Sequence, residues 1–156
     1  MLEVVVMPDN PQFWATAARW CLDEWGAQWP DDTLEDYYAL YRSSASHPDA
    51  VPVVLAATDA GQLLGVVTLI ADDELPGATE GPWLAACFVD PAHRGQGVGK
   101  ALVKAAEQKA KDLGYGDLYL FTWSERDWYA RLGWVPMRSQ DFCGQLTFVM
   151  HKNLVR

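Results

Sequence analysis

Between residues 83 and 100 the sequence reads WLAACFVDPAHRGQGVGK. Residues 83–89 are nearly all apolar, which is typical of a strand buried on both faces of a sheet. Gly95, Gly97 and Gly99 follow, and the residues after them have the apolar spacing of an amphipathic helix. A strand that passes through glycines into a helix gathers backbone N–H groups at the positive end of the helix dipole. The stretch therefore predicts an anion site, and a phosphate fits best.

Two common phosphate-binding loops do not match this stretch. A Walker A loop requires glycine where Arg94 stands and serine or threonine where Ala101 stands. A dinucleotide-binding fingerprint requires a small residue where Lys100 or Leu102 stands. A tight strand-to-helix turn without any ligand is the remaining alternative, although fewer glycines would be enough for such a turn.

A different pattern, R-x-x-G-x-G, is present at Arg94, Gly97 and Gly99. After the amphipathic helix, residues 128–134 read WYARLGW. Together these segments resemble the pyrophosphate-binding motif and the Y-x-x-x-G-[FWY] segment of the GNAT superfamily of N-acetyltransferases. The resemblance extends over residues 51–150 or so. It implies acetyl-CoA as the cosubstrate, no metal, and transfer of the acetyl group to a primary amine of a small molecule or peptide by direct attack.

The resemblance also implies roles for residues of this chain. The strand at 83–89 is expected to diverge from its neighbour, so that backbone groups of Cys87, Phe88 and Val89 pair with the pantetheine arm. The N–H of Val89 is expected to polarise the thioester carbonyl. Tyr129 corresponds to the family's general acid, and a core aromatic side chain is the alternative. The pyrophosphate is expected on the turn formed by Arg94, Gly95, Gln96, Gly97, Val98, Gly99 and Lys100.

The general base does not follow directly from the resemblance. Some family members carry a glutamate inside the strand before the motif, and Trp83 stands at that position here. We take Glu80 as the candidate base; other acids lie at 72–74, and a chain of water molecules is the alternative. Many members also carry an asparagine where Thr122 stands. This departure argues against assigning to this chain the substrates of ribosomal-protein N-terminal acetyltransferases.

The wider pattern of apolar and turn residues predicts an α/β (α+β) fold with a mixed, mostly antiparallel sheet of six to seven strands and about four helices. Ser124 is expected to cap the last helix, and Gly114 to end the one before it. Residues 71–82 and 139–144 are expected to be loops. We expect strands at 2–6, 51–58, 63–70, 83–89, 118–122, 134–138 and 145–151, and helices at 11–26, 33–44, 98–113 and 124–133.

Composition bounds the remaining possibilities. The length of 156 residues predicts one domain over residues 1–156. The net charge of −9 argues against nucleic acid as a partner. The three cysteines form no C-x-x-C pair, so neither a disulfide framework nor a zinc site is expected. No apolar run is long enough to span a bilayer, so we expect a cytoplasmic protein with no membrane contact. We also expect the protein to be a monomer or a homodimer.

The substrate side remains open at this stage. Aromatic and acidic residues lie near one another from the end of the first predicted helix through the second, which indicates either a core or a pocket for a cationic molecule. The aromatic candidates are Trp25, Trp29, Tyr37, Tyr38 and Tyr41, and the acidic ones are Asp31, Asp32, Glu35 and Asp36. A binding module for acyl-CoA without turnover, or transfer of another acyl group, remain alternative functions.

Overall fold

Seven strands form one mixed sheet in the computed structural model, which describes residues 1–154. Their order across the sheet is β1-β2-β3-β4-β5-β7-β6. Only the pair β4 and β5 is parallel, and all other neighbours are antiparallel. The elements are β1 (Glu3–Val6), α1 (Pro11–Trp25), α2 (Leu34–Ser46), β2 (Val53–Asp59), β3 (Gln62–Ile70), β4 (Trp83–Val89), α3 (Val98–Asp112), β5 (Asp117–Thr122), α4 (Arg126–Arg131), β6 (Val135–Phe142) and β7 (Gln145–Asn153). The predicted fold class is confirmed.

Helices cover both faces of the sheet, which is why its central strands are apolar on both sides. The core on the face of α1 and α2 includes Val54 and Ala56 of β2. The core on the opposite face, under α3, includes Val53 and Leu55 of the same strand. Successive side chains of a strand point to opposite faces, so one continuous apolar run supplies both cores.

Local signals in the sequence set the helix ends. Thr33 and Asp36 form a reciprocal capping box at the start of α2. At the end of α3, the N–H groups of Gly114 and Tyr115 donate to the carbonyls of Lys111 and Ala110 at 3.0 and 3.1 Å. This Schellman arrangement confirms the predicted end of that helix.

Two predicted boundaries are wrong. Ser124 does not cap α4; the Thr122 hydroxyl instead accepts hydrogen bonds from the N–H groups of Ser124 and Glu125 at 3.4 and 3.0 Å. Residues 139–144 are not a loop, because β6 continues to Phe142 and joins β7 through a tight turn. The polar residues of this stretch occupy an edge strand, where alternate side chains face solvent.

The sheet opens between its two parallel strands. A single registered pair, Trp83 with Tyr119, joins β4 to β5, and the strands diverge beyond it. The pairing of β3 with β4 shifts between Val66 and Thr68, and Ala86 has a φ of +51°. A bulge of this kind bends the strand and leaves one residue outside the ladder. As predicted, β4 diverges from its neighbour β5, and the gap between the two strands forms a cavity.

Candidate active site

A cavity of about 720 Å³ lies in the gap between β4 and β5. Its walls include β4 residues 84–89, β5 residues 120–122 and the glycine turn before α3. The segment 72–74 after β3 and the ends of α1 and α2 line it as well. Residues from across the chain therefore meet at one opening in the sheet.

The glycine turn forms one end of this cavity and is built to receive an anion. Gly95 and Gly97 have φ values of +77° and +84°, which strongly favour glycine. A Cβ atom added at either position would meet nothing within 4 Å, so the backbone surface is open. Side chains cap α1 and α2, whereas α3 has no side-chain cap, which leaves its first N–H groups available. These features fit a phosphate group.

Gly99 has a different role, because it allows an aromatic ring to lie against α3. A Cβ atom at Gly99 would lie 3.2 Å from the nearest carbon of the Trp128 ring. The Trp128 ring also packs edge-on against Tyr129, with 4.9 Å between the ring centroids. Trp128 is thus a cavity residue for which the sequence predicted no role, although its position beside the candidate acid Tyr129 was a signal.

Tyr129 lines the cavity with its side chain largely buried, at 8% exposure. Its hydroxyl faces the thiol of Cys87, which also lines the cavity. Burial, followed by the nearby Cys87, raises the pKa of Tyr129 well above its ordinary value. Burial also raises the pKa of the Cys87 thiol to about 12. Both groups are therefore protonated at neutral pH.

The other predicted CoA-binding residues line the same cavity, except for Gln96, which does not belong to the lining. Arg94 and Lys100 line the cavity together with Phe88 and Val89. The Arg94 guanidinium lies over the Phe88 ring, 5.0 Å from its centroid, and its Nε donates to the Val89 carbonyl at 3.0 Å. One of the backbone groups expected to face pantetheine therefore already has a partner.

Glu80 lies outside the cavity lining and is engaged elsewhere. Both of its carboxylate oxygens accept hydrogen bonds from Arg138, at 2.5 and 3.0 Å. This interaction lowers the pKa of Glu80 to about 2. A carboxylate with so little affinity for a proton is a poor base at neutral pH. The placement argues against the general base that we took from the sequence.

The end of the cavity away from the glycine turn is acidic and aromatic. Of the predicted aromatic residues, Trp25, Trp29 and Tyr37 line it. Tyr41 instead lies in the core, and its ring packs against Trp14. The acidic lining comprises Glu24, Asp32, Asp36, Asp72, Asp73 and Glu74.

None of the helices in residues 1–154 combines the length and the apolar composition that a membrane span requires. The same residues contain no group of three or more His, Cys, Asp or Glu side chains placed to hold a metal ion.

The sequence of the chain is similar to those of known acetyltransferases. A family model described as "Acetyltransferase (GNAT) family" matches residues 14–134. The N-acetyltransferase family 8 member 2 of Rattus norvegicus is 39% identical over 66 residues, which are 42% of this chain and 29% of that protein. The match therefore spans less than a third of this relative's length.

Solved structures share the whole fold. The crystal structure of an aminoglycoside 6'-acetyltransferase type Ii has a TM-score of 0.77 and 17% identity, covering 99% of this chain and 98% of that one. An aminoglycoside 6'-N-acetyltransferase complexed with coenzyme A has a TM-score of 0.77 and 16% sequence identity, covering 99% of this chain and 98% of that one. A Salmonella typhimurium structure described as a putative acetyltransferase with its cofactor acetyl-CoA has a TM-score of 0.73 and 16% identity, covering 99% of this chain and 94% of that one.

Proposed function

Because the chain belongs to the GNAT acetyltransferase family, we propose that it transfers the acetyl group of acetyl-CoA to a primary amine of a small molecule or peptide. One observation carries this proposal: the uncapped start of α3 and the buried Tyr129 hydroxyl open onto the same cavity. The first fits the phosphates of CoA, and the second fits the departing sulfur. The matched solved structures include complexes with CoA and acetyl-CoA, which supports the choice of cosubstrate.

The turn would hold the pyrophosphate through backbone donors. The N–H groups from Gly95 to Lys100 surround the open surface, and the dipole of α3 adds positive potential. Arg94 and Lys100 contribute positive side chains at the cavity edge. The backbone of Cys87 and Phe88 remains the proposed partner of the pantetheine arm. When bound, acetyl-CoA supplies an acetyl group activated as a thioester.

The amine attacks the acetyl carbonyl directly in this proposal. The N–H of Val89 stabilises the negative charge that develops on the carbonyl oxygen, and such preorganised donors often make the largest contribution to catalysis. Tyr129 then donates its proton to the departing sulfur. The thiol of Cys87 lies beside Tyr129, but its pKa of about 12 keeps it protonated and makes it a poor nucleophile. This argues against an acetyl-cysteine intermediate.

The amine must lose a proton before it attacks, because a free alkylammonium has a pKa of about 10. With Glu80 paired to Arg138, we assign this step to water in the cavity, which leads the proton toward the acidic end. This is the alternative to a dedicated base that the sequence left open.

Tyr129→Phe tests the proposed acid. We expect kcat to fall about 100-fold, since a positioned acid contributes roughly that much, while the Kd of acetyl-CoA changes less than about threefold. Tyr38→Phe is the matched control, because Tyr38 is an aromatic residue of α2 that does not line the cavity. Free CoA thiol release measures kcat, and calorimetry measures Kd. Equal kcat values in the two variants would refute the acid role, and tight binding without any thiol release would favour the module without turnover.

A further inference from the structure

We infer that Trp128 is a positioning residue for Tyr129, and that Gly99 is a glycine because the Trp128 ring occupies the space beside it. The inference rests on the proposed function, because it concerns the placement of the proposed acid. It connects the glycine turn at one end of the cavity to the group that donates the proton.

The backbone of Gly99 does not itself require glycine. Gly99 lies in the first turn of α3 and does not share the positive φ of Gly95 and Gly97. Alanine is normally more favourable than glycine in a helix. An added Cβ atom would instead meet Cζ2 and Cη2 of Trp128 at 3.2 and 3.4 Å, and Cγ2 of Val89 at 3.5 Å. The contact with the ring, rather than the conformation of the chain, therefore accounts for the glycine.

The Trp128 ring contacts both this glycine and the proposed acid. It packs edge-on against the Tyr129 ring, with 4.9 Å between the centroids and an angle of 80° between the planes. It also packs against the core under α3, and both aromatic residues line the cavity. Because the two rings are in contact, a displacement of Trp128 from Gly99 is transmitted to Tyr129.

The orientation of α4 depends on contacts of this kind. The helix has only six residues and no side-chain cap, so it has little stability of its own. Lys152 anchors its C-terminal end, since Nζ donates to the Leu132 carbonyl at 2.7 Å and lies 3.2 Å from Glu107. Trp128 supplies the contact with the start of α3. Successive residues of a helix point about 100° apart, so the direction of Trp128 fixes that of Tyr129.

A small rotation of α4 is enough to misplace the acid. A tyrosine hydroxyl lies roughly 8 Å from the axis of its helix, so a rotation of about 10° moves it by about 1.4 Å. A misplacement of about 1 Å can cost about 100-fold in rate. Loss of the Trp128 contact therefore removes most of the contribution of Tyr129 while its hydroxyl is still present.

The first test replaces the ring. Trp128→Ala should lower kcat for CoA thiol release about 30-fold, because the acid is misplaced. The Kd of acetyl-CoA, measured by calorimetry, should change less than about threefold, because the backbone donors of the turn remain. Trp14→Ala is the matched control, since it removes an equally large, partly buried ring outside the cavity lining. It should keep kcat within about threefold, because α4 stays in place.

The second test repeats the substitution in a protein that lacks the acid. If Trp128 acts through the Tyr129 hydroxyl, adding Trp128→Ala to Tyr129→Phe should lower kcat less than about twofold further. If the two losses multiply instead, to about 3,000-fold, Trp128 acts independently of Tyr129. That result would overturn the inference and leave the acid role of Tyr129 intact.

The third test approaches the contact from α3. Gly99→Ala should displace the Trp128 ring and lower kcat about tenfold. The phenyl ring of Trp128→Phe lacks Cζ2 and Cη2, the two atoms that the added Cβ would meet. Adding Trp128→Phe to Gly99→Ala should therefore raise kcat at least about threefold, whereas Trp128→Phe alone should not raise it. A lower kcat in the double variant than in Gly99→Ala would overturn the inference.

Failure of the proposed function would give a different result. If the unmodified protein releases no CoA thiol with any amine, the acetyltransferase proposal fails, and urea unfolding then decides the inference. A rise in the urea midpoint when Trp128→Phe is added to Gly99→Ala, with a fall when it is added to the unmodified protein, would support the packing of Trp128 on Gly99. A fall in both backgrounds would overturn it.

Discussion

Replacing Glu80 with glutamine separates a structural role of this residue from a catalytic one. The pairing with Arg138 lowers the pKa of Glu80 from 4.5 to about 2. One pKa unit corresponds to about 1.4 kcal/mol, so the full shift corresponds to about 3 kcal/mol. The exposed fractions of the two side chains are 18% and 34%, and solvent screening reduces the expected contribution to about 1–2 kcal/mol.

The sign of the pH dependence follows from the lowered pKa. The pair stabilises the folded state fully above pH 4.5, and the contribution is lost as the pH falls through about 2. Glu80→Gln should therefore lower the free energy of unfolding at pH 7 by about 1–2 kcal/mol, and the difference from the wild type should shrink near pH 2. Urea unfolding followed by circular dichroism measures both values.

The same variant should leave catalysis nearly unchanged. We expect kcat within about threefold of the wild type, because a true general base contributes about 100-fold or more. Glu3→Gln is the control: Glu3 is exposed on β1, and glutamine there should alter neither stability nor kcat. A 100-fold loss of kcat with unchanged stability would show that Glu80 acts in catalysis, and would refute the reasoning from its pairing.

Three further variants test other parts of the site. Gly97→Ala should weaken acetyl-CoA binding, measured by calorimetry, at least about tenfold, because a φ of +84° is strained for alanine and the turn would have to change shape. Gly77→Ala is the control: Gly77 has a similar φ of +80° but lies in a loop outside the cavity lining, so acetyl-CoA binding should not change. Cys87→Ser should keep kcat within about threefold, since a serine hydroxyl still partners Tyr129; complete loss would indicate an acetyl-cysteine intermediate. Asp73→Asn should raise the free energy of unfolding at pH 9 by at least about 1 kcal/mol and less at pH 5, because the raised pKa of Asp73 makes the cost of ionising it grow between about pH 4 and about pH 8; an unchanged value at pH 9 would contradict the raised pKa.

Local signals explain why much of the fold was predictable. The end of α3 at Gly114 and the capping box of α2 are both encoded by neighbours within a few residues, and the predicted end of α3 was confirmed. The turn at Gly95 and Gly97 is also local, since their positive φ values require no distant contact. The second half of the edge strand β6, residues 139–142, was missed because an edge strand tolerates the polar residues that elsewhere mark a loop.

The wrong and missing assignments depend on residues far apart in the sequence. Arg138, which engages Glu80, lies 58 residues away. Trp128 lies against Gly99 only because α4 folds over the start of α3. Contacts of this kind leave no pattern in the local sequence. They nevertheless decide which carboxylate is paired with a basic side chain and is therefore a poor proton acceptor.

Release of CoA thiol from acetyl-CoA by the unmodified protein tests the central claim most directly. The assay supplies acetyl-CoA and a series of amines that includes linear diamines, aminoglycosides, amino acids and short peptides. We predict thiol release that saturates with at least one amine class and that falls about 100-fold in Tyr129→Phe. Absence of thiol release with every amine, together with no detectable binding of acetyl-CoA by calorimetry, would contradict the proposed acetyltransferase.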